Sequence, residues 1–311
     1  MILWLLLVTD ALAVQYPWTF DNDLFGGPDF WGLLHGDWRM CTAGQMQSPV
    51  NIDPAQLLYD PYLTQISVEG EEVDVMFENT GQLPIATVIE KPNRPTLNIS
   101  GGPAAPYHYK LHQLTIHFGQ ADDGEKGSEH TVDRIRQDTN VELRKLTVAS
   151  QSITYKGMKT NMEKLNVMGL LPRTAQYVTY EGSLTYPGCH ETVTWAIMNN
   201  PIYITKEDLQ IWNNLQKTET KQAEPSFMTP SYRPLRSLNG RLLRTNINSG
   251  NKDSGSSGTC ASNLYVSMGY RSNPSRMKRN NSISKRSASE IFEIEDIQPE
   301  SLKRFAQIES I

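Results

Sequence analysis

Between Tyr16 and about Asn248 the chain is cut into short runs of β-forming residues by Pro, Gly and Asn. No other feature restricts the fold so strongly. Residues 111–118, 176–180 and 193–198 are such runs, rich in Val, Ile, Thr and Tyr and too short for ordinary helices. Only residues 141–148 and 206–215 read as helices, the second opened by Thr205 as an N-cap with Asp208 three residues on. The pattern predicts one large, mainly-β (α+β) domain over residues 16–248, without internal repeats. With 311 residues, 38% of them hydrophobic, there is material for a sizeable core.

The flanks differ in composition. Residues 1–14 hold an apolar core, Ile2 to Val8, followed by Ala11-Leu12-Ala13, the small-x-small arrangement of a signal peptide. No later segment approaches the ~18 uninterrupted apolar residues of a membrane span, so an exported, soluble chain is expected. Residues 249–311 turn to Gly, Ser, Asn, Lys and Arg, which bury too little apolar surface to offset chain entropy, and are expected to be disordered. Within that tail, residues 291–311 mix Ile, Glu and Phe in a way that suits a transient helix. A net charge of -5 argues against adhesion to nucleic acid or anionic lipid as the main task, and no nucleic-acid motif is present.

Cysteine usage agrees with export. Cys41, Cys189 and Cys260 are the three cysteines, too few for a disulfide scaffold and without a CxxC metal spacing. In an oxidising compartment one pair and one leftover thiol is the natural count. Asn98-Ile99-Ser100 is a glycosylation sequon, with Asn98 as the acceptor.

An ordered series of landmarks runs through the domain: Phe30-Trp31-Gly32, Gln47-Ser48-Pro49-Val50-Asn51-Ile52, His117-Phe118-Gly119, Gly127-Ser128-Glu129-His130, Tyr155-Lys156-Gly157, Glu181-Gly182-Ser183-Leu184-Thr185, Val193-Thr194-Trp195 and Tyr232-Arg233-Pro234. In this order they resemble the α-carbonic anhydrase family. Details such as Arg244-Thr245-Asn246-Ile247-Asn248 are most similar to its secreted, inactive branch, the carbonic anhydrase-related proteins X and XI. The resemblance implies a large, twisted, mostly antiparallel sheet with short peripheral helices. It also implies that Cys41 and Cys189 form the disulfide of extracellular members, closing a loop of about 150 residues that restricts the unfolded chain by on the order of 4 to 5 kcal/mol. Cys260 is then left over as a candidate intermolecular thiol.

The active family needs three neutral imidazoles on Zn²⁺, leaving one open position where water ionises. The first two come from a His-x-His strand, whose positions here are Thr115 and His117. Residues two apart on a strand share a face, so a hydroxyl stands where the first imidazole belongs. His108 and His112, at odd separations from His117, belong on the other face. The strand that supplies the third ligand is missing: after Asp133 the sequence passes through Arg134 to a part of the family several strands later. The expected fold therefore lacks some central strands through an internal deletion near 133–134. Thr185 and Glu129 match the groups that orient zinc-bound hydroxide, and Gln82 matches the proton-shuttle position, where an amide cannot exchange protons near neutral pH. Tyr186 replaces a small residue beside the substrate pocket.

The vestigial residues Thr115, His117, Thr185, Glu129 and Gln82 thus imply no metal, no cofactor and no catalysis, although zinc serves active relatives. The resemblance points instead to an extracellular protein-binding module whose partner is a cell-surface protein, neurexin-type by analogy. Two alternatives remain at this point: a zinc-dependent carbonic anhydrase, and a non-functional splice form or gene-model artefact.

Overall fold

Period-two alternation of side chains sets the layers of this protein. The structure, a computed structural model, describes residues 18–22, 24–70, 72–92, 97–120, 140–200, 202 and 204–248, together with the backbone of 307–308. Its strands are β1 (Leu57–Tyr59), β2 (Ile66–Glu69), β3 (Glu72–Asn79), β4 (Pro84–Val88), β5 (Asn98–Gly101), β6 (Tyr109–Lys110), β7 (Gln113–His117), β8 (Lys159–Asn166), β9 (Tyr177–Gly182), β10 (Val193–Met198), β11 (Leu243–Thr245) and β12 (Gln307–Ile308). The α-helices are α1 (Trp31–Leu34), α2 (Met40–Ala43), α3 (Val141–Ser150), α4 (Val167–Leu170) and α5 (Lys206–Asn213). The strands form a four-stranded sheet in the order β1-β11-β9-β10, a five-stranded sheet in the order β12-β7-β4-β3-β8 and a three-stranded sheet, β2-β5-β6. Among the described strands the β1·β11 pairing alone is parallel, and an isolated bridge between Val50 and Arg236 is parallel too. The sheet-rich, mostly antiparallel fold with short helices is the one expected, its strands divided among three hydrogen-bonded groups.

Alternation is clearest across β3, β4 and β7. Val75, Phe77, Ala86, Leu114 and Ile116 share the largest core cluster with Leu143 and Leu146 of α3 and Leu209 and Trp212 of α5. Both long helices begin where their caps predict. Asn140 accepts from the N–H groups of Glu142 and Leu143, each at 3.0 Å, and Thr205 accepts from that of Asp208 at 3.0 Å. Each helix buries residues three and four apart, as an amphipathic helix on a sheet must. The Trp212 indole fixes their crossing by donating to Thr147 Oγ1 at 3.0 Å.

A second cluster, including Val50, Ile52, Val178, Tyr180 and Ile197, lies on the four-stranded sheet. A third, of Phe20, Trp31, Cys41, Leu83 and Cys189, with Ile85 and Tyr186 packed against it, covers the other face of β4 and β7. The Cys41–Cys189 disulfide, spanning 148 positions, joins α2 to the loop after β9. Among the described residues no helix is long and apolar enough to cross a membrane.

Small differences from the sequence reading concern ends. The strand expected over 111–118 is Gln113–His117, because the Leu111 N–H leaves the ladder to donate to the Leu97 carbonyl. The helix expected to reach 215 stops at Asn213. Gln307 and Ile308, in a stretch whose composition suited a helix, are extended instead and pair with β7. The segment 1–14, the junction at 133–134 and the rest of the tail lie outside the described residues.

Candidate functional site

Strand β7 carries the positions on which a zinc site would depend. Leu114, Ile116 and Phe118 point into the main core, so Thr115 and His117 share the opposite face, under the aromatic cluster. Both are buried, Thr115 to 2% exposure and His117 to 0%. Thr115 lies opposite Ile85 of β4, and the Phe20 ring meets the His117 imidazole edge-on at 6.0 Å between centroids. His117 Nδ1 lies 2.9 Å from the Ser231 carbonyl oxygen. A carbonyl only accepts, so Nδ1 carries a proton.

The remaining expected positions are dispersed. Thr185 is fully buried, in a turn where Leu184 N–H donates to the His190 carbonyl and Cys189 N–H to that of Tyr186. Tyr186 is half-buried and packs against the cluster of Phe20, Trp31, Cys41, Leu83 and Cys189. The Gln82 amide donates through Nε2 to the Trp18 carbonyl, which anchors the N-terminal segment. Asn98 is half-buried at the start of β5, opposite Glu69 and Lys110. Glu129 and Cys260 lie outside the described residues. His108, His112 and His190 are exposed and His35 is half-exposed, so none joins His117 on the buried face.

Sequence reasoning missed two partners of His117. Phe20 comes from a segment without a motif, whereas Ser231 immediately precedes the Tyr232-Arg233-Pro234 landmark and was accessible to that reading. Lys217 was also missed. Its Nζ donates to Thr19 Oγ1 at 3.1 Å beside the aromatic cluster. Burial lowers its pKa, partly opposed by Asp21.

The landmarks outside β7 build a polar frame. Ser48 N–H donates to Ser183 Oγ at 2.9 Å, while Ser48 Oγ accepts from the Ser183 N–H and the Tyr180 hydroxyl, each at 3.0 Å. Gly182 is required there: a Cβ would come within 2.2 Å of Ser48 Oγ and 2.9 Å of the Trp195 ring. Arg233, 1% exposed, donates to Gln47 Oε1 at 2.8 Å and to the Ser48 carbonyl at 2.9 Å. Its guanidinium lies over the Trp31 ring, 5.3 Å from the centroid. Four separate sequence motifs therefore converge on one buried knot whose chemistry is structural.

The donor set does not suit a catalytic zinc ion. A threonine hydroxyl, neutral near pH 7, stands beside the one imidazole, and among the described residues no group of three His, Cys, Asp or Glu is placed to hold a metal.

These features define a disulfide-closed, sheet-built domain with, among the described residues, one inward imidazole under an aromatic cover. The family model for eukaryotic-type carbonic anhydrase matches residues 26–144 and 134–247. A Caenorhabditis elegans protein named as carbonic anhydrase-like protein 2 is 61% identical over 318 residues, covering 89% of this chain and 94% of its own length. Another from the same organism, named as carbonic anhydrase-like protein 1, is 30% identical over 333 residues, with coverages of 75% and 90%. The chain belongs to the eukaryotic-type carbonic anhydrase family. Since 89% of 311 residues is about 277, about 40 of the 318 positions in the first comparison face no residue here.

Proposed function

We propose that this protein is a secreted, catalytically inactive member of the family that acts as an extracellular protein-binding module. The observation that carries the reading is Thr115 in place of an imidazole, on the same buried face as His117, whose ring meets that of Phe20. Zinc-hydroxide chemistry requires three protein ligands and an open, wet fourth position. Here one ligand is a hydroxyl and the Phe20 ring lies against the imidazole. Gln82, at the shuttle position, is engaged with the Trp18 backbone.

The third ligand is absent on this reading because a segment is missing between Asp133 and Arg134. Three findings support it: the family model matches in two pieces that overlap over residues 134–144, about 40 positions of a close relative have no counterpart, and hydrogen bonding ends one sheet at β10 and begins another near β7. Transcript sequencing across the junction tests it. A longer form would show whether a third histidine exists in the parent protein, and would leave Thr115 in place.

Zinc content and stopped-flow CO₂ hydration test the loss of catalysis. The expected result is less than a tenth of an equivalent of zinc and no turnover above the uncatalysed rate; stoichiometric zinc with inhibitor-sensitive turnover overturns it. By analogy the partner is a cell-surface protein of the neurexin type, met by the domain surface and, through Cys260, by a mixed disulfide. Immobilised protein should retain such an ectodomain under non-reducing conditions, and Cys260→Ser should abolish the covalent fraction. Failure of every neurexin-type ectodomain to bind removes that partner.

A further inference from the structure

The five-stranded sheet carries β4 on one side of β7 and β12 on the other. Which residues serve which side follows from one hydrogen bond: Val88 donates its N–H to the His112 carbonyl at 2.9 Å. In an antiparallel pair the bonded residues recur at every second position. Leu114 and Ile116 therefore direct their backbone N–H and C=O groups at β4, while Thr115 and His117 direct theirs at the opposite edge. On that edge Gln307 lies opposite His117 and Ile308 opposite Ile116.

A strand as deeply buried as β7 cannot leave a row of donors and acceptors without partners at small cost. The same two positions that carry the altered ligand set are thus those whose backbones need a neighbouring strand. We infer that the C-terminal segment of this chain is an edge strand acting in cis, with Gln307 and Ile308 completing the β7 ladder where the five-stranded sheet would otherwise end. The register puts the N–H and C=O of Gln307 against those of His117. Residues 249–306 provide ample reach, since an extended chain spans roughly 3.3–3.6 Å per residue. The tether makes the encounter intramolecular, at an effective concentration on the order of millimolar, which lets so short a ladder form. The inference does not depend on what the domain binds or on whether it retains activity.

Hydrogen exchange on the full chain, resolved to single amides, tests it. Gln307→Pro removes the N–H that faces the His117 carbonyl, Gln307→Ala keeps it, and a chain ending at residue 300 removes the segment altogether. The amide of His117 should exchange about tenfold or more faster in the proline variant and in the shortened chain, and at the native rate in the alanine variant. The amides of Leu114 and Ile116, bonded to β4, should change less than about threefold. If the shortened chain fails to fold, the proline and alanine pair carries the comparison. Equal exchange at His117 in the full chain and the folded proline variant overturns the inference. So does protection that rises with protein concentration, which would assign the edge to a second copy.

Discussion

Replacing Ser48 with Ala withdraws the acceptor used by the Tyr180 hydroxyl and the Ser183 N–H inside the domain. The expected cost is about 1–3 kcal/mol, read as a lower urea midpoint at unchanged m-value. Tyr177 supplies a pH dependence. Its hydroxyl donates to the Thr64 carbonyl at 2.8 Å, and burial raises its pKa from 10.0 to about 12, with Asp60 adding to the rise and Arg244 opposing it. The folded protein thus holds the phenol neutral while the unfolded chain ionises near pH 10, so this contribution is complete below pH 10 and is lost as pH rises through about 12. Tyr177→Phe should flatten the fall in melting temperature between pH 10 and 12. Wild-type and variant curves with the same slope there would contradict the assignment.

Helix α3 shows what an element owes to its boundary. Asn140 caps its first turn and also donates through Nδ2 to the Gly169 carbonyl at 2.8 Å, tying α3 to α4. Asn140→Ala should cost about 1–2 kcal/mol in chemical denaturation. Asn140→Asp keeps the capping oxygen and suits the helix dipole while losing the donor, so it should cost distinctly less. At this scale the sequence was informative. Thr205 and Asp208 announced the start of α5, and residues 193–198 coincide with β10. What it left open were the ends, because the Leu111 N–H donates to Leu97, a partner fourteen positions away in the chain, and no local pattern encodes that. β12 was illegible for the same reason: its strand conformation comes from β7 and not from the propensity of its own residues.

At the scale of the whole molecule, the Cys41–Cys189 bond fastens the N-terminal helices and the aromatic cover to the loop after β9 that carries Thr185. Cys41→Ala with Cys189→Ala should lower stability by about 2–5 kcal/mol, measured by denaturation under non-reducing conditions. The sequence by itself determined the mainly-β class and the alternation that puts Thr115 and His117 on one face, since each depends on residue identity or on a fixed period of two; the pairing of Cys41 with Cys189 was implied by the family resemblance. Only the tertiary structure decided that Phe20 covers His117 on this face, that His117 is fixed by the Ser231 carbonyl, and that Gln47, Ser48, Ser183 and Arg233 form a structural knot. Those contacts join residues from tens of positions to nearly two hundred apart. Their partners are chosen by packing and by the need to satisfy buried polar groups, which no local stretch of sequence specifies.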